Sequence, residues 1–185
     1  MKITQRVLLA SLLGLSLAAG AATLLKTDTA KSSVSAVFKQ MNVPVEAKFK
    51  KYNIVIDYNA AAPDAAKATV DIETASLDVG DAEMNKEVAK KEWFDSAKYP
   101  KASFVSSSIK PAGAGKLTVA GKLSIKGKSA DVSFPLTVKA EGGKQVFEGV
   151  LPIHRLAFNV GDGEWKDTSM VADEVLIKFR VIAAQ

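Results

Sequence analysis

A chain of 185 residues with no cysteine and a single histidine excludes a disulfide framework, a thiolate nucleophile and thiolate-held metal, and it supplies too few ligands for a catalytic zinc site. Its net charge of +5 comes from lysines scattered between apolar residues, the pattern of a solvated sheet face rather than of a nucleic-acid patch. Weak contact with anionic lipid headgroups is the most that such a charge supports.

The first element is a three-part export pattern. Lys2 and Arg6 form a positive start, an apolar run follows from Val7 to Leu17, and the small residues Ala18 to Ala22 close it. This is the plan of a secretory signal peptide over residues 1–21, with cleavage expected after Ala21. The run is shorter than the roughly 18–20 apolar residues a membrane-spanning helix needs. With no cysteine after it, no lipoprotein anchor is expected. Residues 22–185 are then a single domain, exported to the periplasm. Loss of Lys2 and Arg6 leaves 23 basic against 20 acidic residues, a net +3.

Past the signal the apolar residues recur with a period close to two, which predicts strands with one face buried and one in water. Strands are expected at about 31–40, 45–58, 67–76, 101–110, 115–126, 129–140, 144–160 and 170–183. Turn residues separate them, among them Asn42-Val43-Pro44, Lys126-Gly127-Lys128 and Glu141-Gly142-Gly143. Pro135 falls in an outward phase, which places its strand near an edge or a bulge. Asp81 to Lys91 breaks the alternation. Helix formers dominate there, Asp81 is placed to cap, and Met84 and Val88 are spaced i, i+4, so a short amphipathic helix is expected. Alternation of this kind belongs to antiparallel sheets. Eight such strands must close or sandwich to hide their edges, and a closed eight-stranded barrel is either filled by side chains or holds one small ligand. Periodicity alone leaves both outcomes open.

Candidate catalytic groups are sparse. His154 stands alone beside Arg155, more in the manner of a structural hydrogen-bonding residue than of a catalyst. Asp162, Glu164 and Asp167 surround Trp165 without the spacing of a calcium loop. Ser106, Ser107 and Ser108 sit on a strand without the sharp glycine turn of a serine nucleophile. No catalytic residue, metal site or cofactor is expected, and no glycine-rich phosphate loop is present. The inward phase is instead apolar, with Ala36 and Gly121 as small residues along it.

Two stretches carry a resemblance. The first is Ala75-Ser76-Leu77-Asp78-Val79-Gly80 followed by the run Glu92-Trp93-Phe94-Asp95-Ser96-Ala97-Lys98-Tyr99-Pro100-Lys101-Ala102-Ser103-Phe104. The second is Gly115 to Gly127, with Arg155, Phe158 and Gly161-Asp162-Gly163-Glu164-Trp165 ahead of Val171-Ala172-Asp173-Glu174-Val175. Together they resemble the YceI-like family of exported proteins over nearly the whole mature chain. The resemblance implies an all-β, closed eight-stranded, lipocalin-like antiparallel barrel with a helix-bearing insertion. It also implies a long amphiphile, typically a polyisoprenoid or isoprenoid quinone, lying lengthwise inside. Phe38, Phe104, Val119, Leu123, Phe134, Ile177 and Phe179 are then the expected tunnel lining. His154, Arg155 and Trp165 are the polar-headgroup or structural candidates.

The chain departs from the family pattern where many relatives carry Arg-Asp-x-His-Leu before a Phe-Phe-Asp triplet. Here Met84 and Glu87 hold the Arg and His positions, and Lys31 and Ala36 stand where His and Phe are frequent. A diphosphate is poorly served beside Glu87, so a neutral head such as a quinone or fatty amide suits this variant better. The expected function is a periplasmic carrier or scavenger of such an amphiphile, as a monomer or homodimer without nucleic acid. Two alternatives stand beside it: an enzyme acting on an isoprenoid or quinone through His154, Arg155 and Asp162, and a structural or stress-related module with a filled barrel.

Overall fold

Period-two patterning turns into strands wherever a tight turn follows it, and these turns carry residues in the left-handed region. Met41-Asn42, Lys126-Gly127 and Gly142-Gly143 all have positive φ at both positions, the geometry that two-residue hairpins require. The computed structural model describes residues 23–184. The expected signal peptide, residues 1–21, lies outside the described residues.

Among the described residues eleven strand segments form one sheet. They are β1 Leu24–Thr27, β2 Ser33–Gln40, β3 Val43–Phe49, β4 Tyr52–Asp57, β5 Lys67–Glu73, β6 Leu77–Asp78, β7 Lys101–Pro111, β8 Lys116–Ile125, β9 Lys128–Glu141, β10 Lys144–His154 and β11 Val171–Ala184. All pairings are antiparallel, in the order β1-β4-β5-β7-β8-β9-β10-β11-β2-β3-β6, and β11 also pairs with β1. The segments combine into eight bent strands. β1 and β2 lie end to end along β11, β3 runs on into β4, and β5 into β6. Lys50 N–H to Ser76 O (3.0 Å) and Glu73 N–H to Lys51 O (3.0 Å) carry the pairing across the last two breaks. The result, among the described residues, is a closed eight-stranded up-and-down barrel.

The helix α1, Ala82–Val88, sits in the predicted place. Asp81 caps it by accepting from the backbone N–H of Glu83 and Met84. Two expectations need correction. The strand expected over 144–160 ends at His154, because Arg155–Phe158 coil into a 3₁₀ turn closed by Asn159 at φ 55°. The segment Leu24–Thr27 is an additional strand, too short to show alternation. Pro135 acts through its missing N–H. The β9–β10 ladder stops at Leu136 opposite Gly149, one residue short of it, while Pro135 still faces Thr118 on β8.

The barrel has two ends. One gathers α1, the 89–100 insertion, the 126–127 turn and the loop from Arg155 to Met170. The other holds Leu24, the 58–66 connection, the 112–115 and 142–143 turns and the end of β11. Between them runs a continuous apolar interior fed by every strand of the ring.

Candidate ligand-binding lumen

The alternation that builds the strands also points one apolar residue in every two toward the barrel axis. The interior surface so formed carries Val34 and Ala36 from β2, Ile54 and Ile56 from β4, Leu117, Val119 and Leu123 from β8, and Val175, Ile177 and Val181 from β11. It encloses a cavity of about 190 Å³, and among the described residues Arg155 is the one charged residue on its lining.

Aromatic rings form a tier across the middle. Phe134 on β9 stands 5.7 Å from Phe104 on β7 and 5.6 Å from Phe179 on β11, measured between centroids. The strands between them carry glycine at this level. A Cβ on Gly121 would stand 2.6 Å from the Phe104 ring, and one on Gly149 would stand 2.4 Å from Phe179 Cζ. The absence of a Cβ at Gly149 lets Phe179 lie against the wall, and at Gly121 it makes room for both the Phe104 ring and the Val105 carbonyl, 2.4 Å from where a Cβ would stand.

The helix end is closed by the insertion. Phe94 reaches the lumen lining and meets Phe49 edge-on at 6.4 Å. Thr74 fastens the segment from below. Its hydroxyl donates to Tyr99 O (2.9 Å) and pairs with Ser96 Oγ (2.9 Å), while its N–H donates to Pro100 O (3.0 Å). These bonds hold the run from Glu92 to Pro100 where Phe94 reaches the lumen.

Arg155 is 3% exposed, and each of its five N–H groups has a backbone carbonyl. Nε donates to Ala172 (3.0 Å), Nη1 to Val160 (2.9 Å) and Gly161 (3.0 Å), and Nη2 to Trp165 (2.6 Å) and Val171 (2.7 Å). Burial pushes its pKa down, opposed by the charge of Asp173, while Trp93 covers it at 5.7 Å. With every donor engaged, Arg155 is the knot of the closing loop and offers nothing to a headgroup. Gly161 is needed there, since a Cβ would stand 2.1 Å from Arg155 Nη1. Trp165 lies outside the lumen lining, half-buried against Trp93 at 5.2 Å. His154 points to solvent with its side chain 72% exposed, and its Nδ1 is 2.9 Å from Asp173 Oδ2.

The structure thus places Phe104, Val119, Leu123, Phe134, Ile177 and Phe179 on the lumen wall. Phe38 is corrected: it shares their strand face but sits near the helix end, half-buried between Val45 and Val175 and off the cavity lining. Sequence reasoning missed Phe49, Tyr58, Phe94, Phe147 and Phe158, which also line the lumen. Phe94 and Phe158 lie outside the strands, where alternation carries no signal.

Comparison with known proteins agrees with this architecture. A YceI-like domain matches residues 25–183. The crystal structure of Burkholderia cenocepacia BcnA superposes with a TM-score of 0.83 at 55% identity, covering 85% of this chain and 99% of that one. A Saccharophagus degradans domain described as polyisoprenoid binding, and implicated in plant cell wall breakdown, shares the fold (TM-score 0.67, 14% identity, 88% and 98% covered). A UPF0312 protein of Pseudomonas putida is 37% identical over 98 residues, 53% of this chain and 51% of its own. The chain spans about half the length of such curated relatives in these matches. On the family match across nearly every described residue, the chain belongs to the YceI-like family.

Proposed function

We propose that the protein carries or sequesters a long amphiphile in the periplasm, with the hydrocarbon lying along the barrel axis. One observation carries this reading: the lumen is apolar from end to end, and the one charged group on its wall is fully occupied by backbone carbonyls. Such a surface recognises hydrocarbon and little else. Each CH₂ taken from water contributes about 0.8 kcal/mol, so ten of them outweigh a moderate ordering cost. A polyisoprenoid, an isoprenoid quinone and a fatty amide all meet this requirement.

The cavity of about 190 Å³ is below the roughly 300–1,000 Å³ of drug-sized sites. A long chain therefore needs the rings of the central tier to turn aside as it enters. Binding rather than catalysis is the reading that the polar groups favour. His154 faces away from the lumen toward Asp173, and Arg155 has no donor left to polarise a substrate.

Native mass spectrometry of protein purified from its host tests the proposal. A co-purifying lipid of long hydrocarbon chain is the expected result. A barrel recovered empty that rejects fluorescent lipid probes overturns it in favour of a filled structural module, and a lipid altered on incubation overturns it in favour of an enzyme.

A further inference from the structure

The barrel wall is not sealed by hydrogen bonds all the way round. The β2–β3 ladder ends at Ser35 opposite Lys48, and the β1–β4 ladder ends at Leu25 opposite Ile56. Between them the wall is joined by two side chains: Thr27 Oγ1 donates to Ile54 O (2.9 Å), and Tyr52 Oη to Ser32 O (2.7 Å), close to Thr29 O (3.3 Å). Beside Tyr52, on the Val34 and Phe49 side, lies a recess of about 440 Å³. Val34 and Phe49 line both this recess and the lumen. They hold the next register positions after the β2–β3 ladder stops, so no backbone pairing joins them to each other, while Val34 stays paired with Phe179 and Phe49 with Leu77; their side chains alone form the partition.

The recess is polar where the lumen is not. Lys48 and Lys50 face it, as do Glu46 and Asp78, so its charges balance. Lys50 is paired with Asp78 at 2.6 Å, and Asp78 also accepts from Asn85 Nδ2 (2.9 Å) and Gly80 N–H (3.0 Å). Lys48 and the Ser33 hydroxyl remain as donors. We infer that this side recess receives the polar head of the bound amphiphile, and that it selects a neutral, carbonyl-bearing head. Lys50 and Asp78 neutralise each other and Lys48 is offset by Glu46, so a dianionic head would bring uncompensated charge into the recess, whereas a carbonyl needs one or two donors and no net charge.

This inference rests on the hydrocarbon lying in the lumen, and the experiment separates the two. The chain has no cysteine, so Thr29→Cys at the exposed edge of the recess, and Lys110→Cys and Met170→Cys at the two barrel ends, each give one labelling site and leave Lys48 and Ser33 in place. Each is labelled with bimane and titrated with decylubiquinone, whose quinone quenches on contact, while equilibrium dialysis measures binding directly. Quenching several-fold stronger at position 29 is expected. Measured binding with stronger quenching at 110 or 170 overturns the head site and leaves the lumen reading intact. No binding in dialysis overturns both. In the unlabelled protein, Lys48→Ala should weaken decylubiquinone about two- to tenfold, the loss of one hydrogen bond, and leave pentadecane binding unchanged. Equal loss for both ligands, or tighter binding of dodecyl phosphate than of decylubiquinone, overturns the assignment.

Discussion

Phe179 lies across Gly149, its partner in the β10–β11 ladder, so closely that a methyl on Gly149 would stand 2.4 Å from Cζ and 3.0 Å from Cε2. Gly149 is outside the left-handed region, so an alanine there is not opposed by the backbone. The obstacle is the ring alone. Gly149→Ala should therefore turn Phe179 toward the axis and into Phe134, costing about 1–3 kcal/mol as overpacking does. Urea unfolding should show that loss, and decylubiquinone binding should fall with it. Adding Phe179→Leu should restore both. Wild-type binding by Gly149→Ala alone would mean that the central tier does not limit the lumen.

How much of this was legible depends on what alternation can carry. It assigns a face, and for Phe104, Phe134 and Phe179 the face was enough to place them on the wall. It does not assign a height along the barrel, so Phe38 has the right phase at the wrong level. Nor does it name cross-strand partners, which is why Gly149 looked like any strand glycine until its register with Phe179 was known. The kink at Lys50 and Lys51 did leave a trace. The buried positions are Ala47 and Phe49 before it but Ile54 and Ile56 after it, a slip from odd to even. Arg155 was ambiguous because its partners are backbone carbonyls, and these have no signature in side-chain identity.

Arg155 supplies the second prediction. Replacing it with methionine keeps bulk but leaves the carbonyls of Val160, Gly161, Trp165, Val171 and Ala172 without their donor. A buried polar group left unpaired costs about 1–3 kcal/mol, and several share this site. Arg155→Met should lose on the order of 3–5 kcal/mol. Arg155→Lys should recover only part, since an ammonium has three donors and no planar fork. Trp93 and Trp165 flank the site, so the change should appear in tryptophan fluorescence as well as in urea unfolding. A loss under 1 kcal/mol would show that the loop closes without the knot.

Asp78 sets a dependence on acid. Hydrogen bonds from Lys50, then from Asn85 and the Gly80 N–H, hold its carboxyl well below the ordinary aspartate value of 3.8. A folded-state pKa below the unfolded one contributes stability that is complete above the unfolded value and is lost as pH falls toward the folded one. The stability difference between wild type and Asp78→Asn should therefore be constant from neutral pH down to about pH 4 and shrink below it. Urea midpoints for both proteins across that range provide the measurement. A difference that instead grows on acidification would have the sign wrong, and Asp78 would not be held ionised by the fold.

The last prediction separates carrier from enzyme at the one histidine. His154→Asn keeps a side chain able to reach Asp173 but removes the imidazole, the usual acid–base group of neutral-pH catalysis. His154 lies outside the lumen with its side chain 72% exposed, and Asp173 keeps its second bond, from the Leu156 N–H at 3.0 Å. A carrier that holds its ligand by buried hydrocarbon should change in affinity by less than one hydrogen bond, about 0.5–1.5 kcal/mol. An enzyme using His154 as its acid or base should lose about 10²–10⁴ in rate while still binding its substrate. Both proteins are incubated with decylubiquinone, and the lipid is recovered and analysed by mass spectrometry beside a dialysis measurement of binding. Unaltered lipid from both, bound with nearly equal affinity, is the expected result. Conversion by wild type that vanishes in His154→Asn, with binding intact, would make the barrel an enzyme.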